Sequence, residues 1–126
     1  MRFTNDRGSS TVEFTGVSSL VVIVALAVMQ FAVIAHVRTI VIDSAIAGAA
    51  FGSLADSTLA AGITRTEQLL NIGIASDLID SVSGRVGSVG GRPVTVVTVA
   101  YRVPAFALWV PAVSDTVSAR AFVEQP

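Results

Sequence analysis

The chain has 126 residues, of which 52% are hydrophobic and 13% are charged, and its formal net charge is −1. This length accommodates one small domain at most, and any part that serves as a membrane anchor is lost to a soluble core. The near-neutral charge provides no basic excess for nucleic acid. The absence of cysteine excludes disulfides and thiolate metal sites.

A long apolar run follows a short polar leader that contains Arg2 and Arg7. From Phe14 to Ala35 no side chain is charged, and Gln30 is the only strongly polar one. A helix of this length measures about 33 Å, enough to cross a hydrocarbon core of about 30 Å. We therefore predict a transmembrane helix, and the leader arginines favour a cytoplasmic N-terminus.

The helix is expected to continue beyond the membrane, because Val37–Ala55 contains no proline and is rich in Ala, Ile and Val. Within it Ser44, Gly48 and Gly52 recur every four residues, which places small side chains on one helix face. Such a face permits close approach of another helix. The pattern is equally compatible with packing against a neighbouring subunit and with packing against the protein's own domain.

A second helix is predicted at about Thr66–Ser83, preceded by a capping box. The box pairs Thr64 with Glu67, and the apolar stripe of the helix comprises Leu70, Ile74, Leu78 and Val82. Asp77 and Asp80 fall on the opposite side, which is more typical of a solvated face than of a cation site. The glycine-rich segment Gly84–Pro93 is predicted to be a loop, and it lacks the Lys-Ser/Thr ending of a phosphate-binding loop.

The last third of the chain predicts two strands. Val94–Val103 is dense in β-branched residues, and Thr116–Glu124 alternates between a less polar and a more polar face. Two strands alone are marginally stable, so we expect the hairpin to pack on the emerging helices. The connecting segment Pro104–Pro111 either covers the core or inserts Phe106 and Trp109 into the membrane interface. The predicted fold class is α+β: a long N-terminal helix, a second helix and a small C-terminal β-hairpin.

Glu13 places a carboxylate at the edge of the apolar run. Because a charged side chain at the bilayer centre costs about 2.5–3.5 kcal/mol, such a residue usually has a partner or a function. One interpretation is that Glu13 lies among the lipid headgroups. The other depends on cleavage between Gly8 and Ser9, which would create an ammonium group at Ser9. Glu13 of a neighbouring copy would then neutralise that charge within a helix bundle of low dielectric.

The segment RGSSTVEFTGVSSLVVIVALAVMQF resembles the type IV prepilin signal: a short basic leader that ends in Gly, a Glu at the fifth mature position, and an apolar helix. The pair Glu13 and Phe14 looks most like the Flp, or tight adherence, branch. Because a long segment follows the membrane span, the chain resembles the TadE-like family rather than a major pilin. The stretch DSAIAGAAFGSLA at Asp43–Ala55 and the closing strand that ends at Glu124 are also similar to that family.

This resemblance implies a pseudopilin or minor pilin, without enzymatic activity or cofactor, that helps to assemble a Tad-type pilus. It implies a leader at 1–8, a transmembrane helix at 9–36 and an extracytoplasmic head at 37–126. Gly8 and Ser9 would form the processing site, and Glu13 and Phe14 would act in assembly. The implied partners are the membrane, a prepilin peptidase, other pilin-like subunits and the pilus assembly platform. Nucleic acid and small-molecule substrates are not expected. The sequence does not distinguish a TadE-like protein from a TadF-like protein.

Two other classes of function are less well supported by the sequence. A secretory signal followed by a released small binding domain needs a cleavage site after the apolar run, but the first Ala-rich stretch, 45–50, comes late. An enzyme is not expected, because the single histidine, His36, lies at the membrane exit. Neither a catalytic triad nor a zinc-ligand spacing accompanies it.

Overall fold

A single long helix dominates the fold. It has more than twice as many residues as the other helical segments together. The computed structural model describes residues 2–105 and 111–125, with side chains from residue 8 onward. The elements in chain order are α1 (Arg2–Gly52), α2 (Leu59–Gly73), a single 3₁₀ turn (Ser76–Leu78), β1 (Ile79–Val89), β2 (Arg92–Val103) and β3 (Val113–Phe122). With 51 residues, α1 extends for about 76 Å. The predicted α+β class and the continuation of the first helix beyond the membrane segment are confirmed.

The second half of α1 forms one wall of the hydrophobic core. Val37, Val41, Ala45 and Ala49 are spaced four residues apart, so they share one helix face, and all four are buried. Leu70 of α2 packs into the same core. The head is therefore built directly on α1: the first half of the helix projects from the head, and the second half is part of its core.

The three strands form an antiparallel sheet in the order β1-β2-β3. The central strand β2 alternates between two faces, and its inner face supplies Val97, Val99, Tyr101 and Val103 to the core. From β3, Val117 and Ala119 join them. The inner face of the sheet thus lies against α1 and α2, as expected for a sheet that needs helices to bury one side.

The predicted position of the second helix is wrong at both ends. The helix begins at Leu59, and the side chain of its N-cap, Thr58, accepts a hydrogen bond of 3.1 Å from the backbone N–H of Ala61. Thr66, the predicted start, is buried in mid-helix, where its hydroxyl donates to the carbonyl of Gly62. The helix ends at Gly73, before three of the four residues of the predicted stripe.

Strand pairing explains where the second helix ends. Leu78 lies in the 3₁₀ turn and Val82 lies on β1, so the period-four stripe did not signal a helix there. Ser, Gly and Val are weak helix formers, and β1 pairs with β2 from Ser81 to Val89 without a break. Asp80 falls at an irregularity in that pairing, and Asp77 lies in the turn, so the two carboxylates do not share a helix face.

The predicted loop at Gly84–Pro93 is also wrong, because most of it belongs to a β-hairpin. Gly90 and Gly91 have φ of 58° and 78° and form the two-residue turn, a backbone conformation that favours glycine. Gly84 lies under α2, where a Cβ would come within 2.8 Å of the Leu59 side chain. Glycine here therefore serves close helix-to-sheet packing and a tight turn, rather than an open loop.

The two predicted strands are confirmed as elements, with shifted bounds. The first starts two residues earlier than predicted, and the second spans Val113–Phe122 rather than Thr116–Glu124. Glu124 instead ties the chain end to the α1–α2 connection: its N–H donates to the carbonyl of Ser53 at 2.7 Å, and its carboxylate accepts from the N–H of Ala55 at 3.1 Å. The predictions for Phe106 and Trp109 lie outside the described residues.

Candidate membrane anchor and assembly surface

The first half of α1 projects from the head without any covering structure. Every residue from Gly8 to Met29 is exposed except Ser18 and Leu26, which are half-buried. Large apolar side chains are among the most exposed, with Phe14 at 74% and Val12 at 70%. Exposed apolar surface of this extent marks a site of interaction with a membrane or with other proteins.

One described helix, Gly8–Gly52, is long and apolar enough to cross a bilayer. Only 11% of its most apolar window is buried, whereas the core helix of a soluble protein would be mostly covered. The length, the composition and the exposure agree in making the N-terminal helix a membrane anchor.

Gln30 marks the level at which the head first contacts α1. Its side chain is 1% exposed, and its amide Nε2 donates a hydrogen bond of 3.1 Å to the backbone carbonyl of Pro104, at the end of β2. Val33 and Ile34, just above it, pack against the core. Gln30 thus joins the apolar run to the head. The only sign of this role in the sequence is that Gln30 is the one strongly polar residue in that run.

This contact constrains where the bilayer ends on the head side. Pro104 and Ala105 are exposed and non-helical, and irregular backbone exposed to lipid is not tolerated at hydrocarbon depth. The free segment Ser9–Met29 measures about 32 Å, which matches the hydrocarbon thickness by itself. We therefore expect a membrane segment of 9–29, shorter than the 9–36 inferred from the sequence, with Glu13 about 6 Å beyond Ser9 along the helix axis.

Cysteine accessibility distinguishes these two membrane boundaries, because the chain contains no cysteine of its own. In membranes, Ala35→Cys is expected to react with an impermeant maleimide as fully as Thr39→Cys, while Val28→Cys stays unlabelled. All three side chains are exposed in the folded chain, so differences in labelling report the bilayer. Protection of Ala35→Cys to the level of Val28→Cys would place the boundary near His36 instead.

Glu13 lies on the exposed part of α1. It forms no hydrogen bond or ion pair with any residue that the structure describes. Nearby hydroxyls behave differently, because Ser19 donates to the carbonyl of Thr15 at 2.7 Å and so satisfies itself within the helix. Because Glu13 has no partner among the described residues, its carboxylate is available to a partner from another chain.

The small residues Ser44, Gly48 and Gly52 are buried, and α2 covers the two glycines. A Cβ at Gly48 would lie 1.6 Å from Thr66 Oγ1 and 2.8 Å from the carbonyl oxygen of Gly62. Gly62 in turn faces Gly52, whose Cα would lie 2.9 Å from a Cβ on Gly62. The helix that approaches this face is α2 of the same chain, and Gly62 is its matching small residue, which the predicted small-residue pattern did not include.

These predicted residues form two separate groups. Gly8, Ser9, Glu13 and Phe14 lie on the free rod, whereas Gly48 lies 35 residues beyond Glu13 on the same helix, about 52 Å along its axis. The structure therefore separates an N-terminal region available to membrane and partners from a head region that is occupied internally.

Arg38 connects α1 to the edge of the sheet just above Gln30. Its guanidinium forms an ion pair with the carboxylate of Asp115 on β3, and the hydroxyl of Tyr101 lies 3.5 Å from the same carboxylate oxygen. The Tyr101 hydroxyl and then Asp115 raise the pKa of Arg38. The backbone N–H of Thr116, at 2.8 Å, is the main cause that lowers the pKa of Asp115, and Arg38 contributes.

The lowered pKa of Asp115 predicts how the stability of the head changes with pH. The carboxylate stabilises the folded head above its ordinary pKa of about 3.8, and this contribution is lost as the pH falls below that value. The effect is small because the pair is exposed to solvent. Thermal unfolding from pH 6 to pH 3 is expected to show a smaller loss of Tm in Asp115→Asn than in wild type. The exposed Asp43→Asn serves as control, and equal slopes in all three proteins contradict the prediction.

A family comparison bears on the anchor directly. A family model described as TadE-like protein matches residues 8–50. The chain carries a TadE-like segment. This match confirms the resemblance inferred from the sequence, and it begins at Gly8, the residue at which the leader was predicted to end.

The TadE-like segment lies entirely within α1 and includes none of the later elements. It therefore includes Gly8, Ser9, Glu13, Phe14, Ser44 and Gly48 but stops short of Gly52. Searches among curated proteins and among solved structures find no significant match to the chain. Among the described residues, no three or more His, Asp or Glu side chains converge on a potential metal site.

Proposed function

We propose that this chain is a membrane-anchored minor pilin or pseudopilin that takes part in assembling a Tad-type pilus. The observation that carries the proposal is the coincidence of the TadE-like match with the exposed apolar part of α1, starting at Gly8. The family-level link to pili supports a subunit that packs laterally with other pilin-like helices. The Glu13 carboxylate, which has no partner among the described residues, supports it too.

In the proposed sequence of events, the cytoplasmic leader keeps the N-terminus inside while the head is exported. A prepilin peptidase then cuts between Gly8 and Ser9, and the new ammonium at Ser9 lies four residues before Glu13. Within a bundle of apolar helices, Glu13 of one subunit pairs with the Ser9 ammonium of its neighbour. The head stays on the outer face of the membrane and has no enzymatic role.

The released-domain alternative conflicts with the packing of α1. A signal peptidase cut in the Ala-rich stretch 45–50 would remove Val37 and Val41 from the core. It would also break α1 in the segment that contributes Ala45 and Ala49 to that core. The resulting domain would lose the helix on which the sheet packs. A stable head therefore requires α1 to stay attached.

Mass spectrometry of the protein from its native host tests the processing step. The expected product begins at Ser9, and it is expected only when the prepilin peptidase is present. Gly8→Val should block the cut and leave the leader in place, while Gly16→Val, the same change eight residues further along the helix, should be processed normally. If the wild-type chain still carries the leader, including Arg7, when the peptidase is active, the proposed function is contradicted.

A further inference from the structure

The outer face of the sheet, on the side away from the helices, is unusually basic for a nearly neutral chain. The two faces are distinguished by neighbouring glycines on β1: a Cβ on Gly84 would meet α2, whereas a Cβ on Gly87 would lie 3.4 Å from Arg85 Nη1 and 3.5 Å from Val94. Arg85 therefore lies on the outer face with Val94. Half of the eight arginines in the chain are on β-strands, and no acidic residue accompanies those at the hairpin end of this face.

Three of these arginines and one aromatic ring form a continuous surface. Arg85 and Arg120 flank Val96 in the same row of the sheet, one on each neighbouring strand. The Arg92 guanidinium lies 4.6 Å from the centroid of the Phe122 ring, which is 50% exposed. We call Arg85, Arg92, Arg120 and Phe122 the basic sheet face.

The arginine stems on this face cover apolar surface while their charged ends stay available. Val94 and Val96 point away from the core, yet each is only 3% exposed, as expected when long side chains lie across them. Arg85, Arg92 and Arg120 form no ion pair with any carboxylate in the described part of the chain. Guanidinium groups without an acidic partner, beside an exposed aromatic ring, are typical of a protein interface.

A groove with acidic side chains lies at the β1 edge of the same head, where α2 meets the sheet. Glu67 on α2 and Asp80 on β1 line a groove together with Asn71, Ser76 and Ser81. Exposed Asp77 belongs to the turn that leads into this groove. We call Glu67, Asn71, Asp77 and Asp80 the acidic groove. Asp80 forms an ion pair with Arg102 of β2, with 3.6 Å between Asp80 Oδ1 and Arg102 Nε, so Glu67 and Asp77 supply the negative charge that stays unpaired among the described residues. None of these three carboxylates pairs with Arg85, Arg92 or Arg120 within the described part of the chain.

We propose that the basic sheet face of one chain binds the acidic groove of a second copy. Complementary charge sets the orientation of such a contact, and the net charge of −1 creates little repulsion between copies. The two surfaces differ, so the contact is head-to-tail and leaves each pair with one free basic and one free acidic surface. A contact of this type adds subunits in one direction. The inference rests on the proposed function, since it supplies head contacts between subunits that also pack through their membrane helices.

Cross-linking between two differently tagged full-length chains in membranes tests this contact. One chain carries Ser118→Cys on the outer sheet face, and the other carries Asn71→Cys in the acidic groove; both positions are exposed, and the native chain has no cysteine. A short bismaleimide is expected to join the two chains. Neither variant paired with itself should give a product, and adduct formation between two Ser118→Cys chains would show face-to-face pairing and overturn the proposal.

Charge reversal links the cross-link to the arginines. Arg85→Glu with Arg120→Glu in the Ser118→Cys chain should reduce the yield at least about tenfold, and Glu67→Arg with Asp77→Arg in the Asn71→Cys chain should restore it. Arg65→Glu, a charge reversal outside the basic sheet face, serves as control and should not lower the yield. Thermal unfolding checks that each variant retains its head.

Three results would overturn the inference: no cross-link between the wild-type surfaces, a yield unaffected by reversing Arg85 and Arg120, or no recovery in the charge swap. A reversal that abolishes retention on a polyanion resin while the cross-link persists would assign the face to an anionic polymer. The N-terminus of the chains is read by mass spectrometry in the same membranes. Normal cleavage before Ser9 without a cross-link overturns only this contact, whereas a cross-link without cleavage overturns only the proposed processing.

Discussion

Gly48→Ala is expected to destabilise the head by about 3 kcal/mol, at the upper end of the usual cost of overpacking. The added methyl group would lie 1.6 Å from Thr66 Oγ1 and 2.8 Å from the Gly62 carbonyl oxygen. Thr66 cannot easily move, because it is fully buried and donates a hydrogen bond to that carbonyl. Helix propensity works in the opposite direction, since Ala is favoured over Gly by about 1 kcal/mol, but the clash is larger.

The measurement is thermal unfolding of the full chain in detergent, followed by near-ultraviolet circular dichroism, to which buried Tyr101 contributes. A loss of about 3 kcal/mol corresponds to roughly 10–20 °C in Tm for a domain of this size. Gly16→Ala is the matched control, because it is the same change in the same helix and nothing lies within 4 Å of its added Cβ.

A second variant separates the two contacts at Gly48. Gly48→Ala with Thr66→Ala removes the clash with the hydroxyl but leaves the approach to the Gly62 carbonyl, so only partial recovery of Tm is expected. If Gly48→Ala unfolds at the wild-type temperature, α2 does not pack against α1 at the distance described. The small-residue face would then be available to another subunit.

Glu13→Ala is expected to leave membrane insertion intact and to impair incorporation into the assembly. Removing a carboxylate from the membrane segment lowers the cost of insertion. It also removes the acceptor for the Ser9 ammonium of a neighbouring subunit. Hydrogen bonds that involve charged groups contribute about 1.5–3 kcal/mol, so the affinity between subunits should fall roughly 10- to 100-fold.

Two measurements test this effect. One is co-purification of a tagged chain with pilin-like subunits, and the other is the fraction of the chain found in material sheared from the cell surface. Glu13→Gln keeps the size of the side chain and removes only its charge, so it should behave like Glu13→Ala if charge pairing is the cause. Thr15→Ala is a control on the same exposed stretch of α1. Incorporation of Glu13→Ala at the wild-type level would exclude the pairing role.

The membrane anchor and the family resemblance were accessible from the sequence, because both depend on local properties. Twenty-two residues without charge from Phe14 to Ala35 define an apolar helix whatever the rest of the chain does. The order of Gly8, Ser9, Glu13 and Phe14 is likewise local. Strand β2 was evident from its dense β-branched composition, and β3 from the alternation of its side chains between a less polar and a more polar face.

The second helix was predicted, but its bounds and the structure of residues 74–91 were assigned wrongly, because non-local interactions decide them. Ile79–Val89 has a weak preference for any structure, and pairing with β2 makes it a strand. Pairing also removes Leu78 and Val82 from the helix that their spacing indicated. The glycines of this region permit close packing under α2 and a tight turn, and neither use is visible without the partner that approaches them.

The sequence by itself determined that the protein has a membrane helix with an acidic residue near its start, since helix length and polarity are carried by consecutive residues. Only the tertiary structure decided which surfaces are occupied. Gly48 is covered by Gly62, Gln30 holds Pro104, and the strand register gathers Arg85 and Arg120 on one side. Each of these depends on residues far apart in the chain, whose proximity arises from packing around one core.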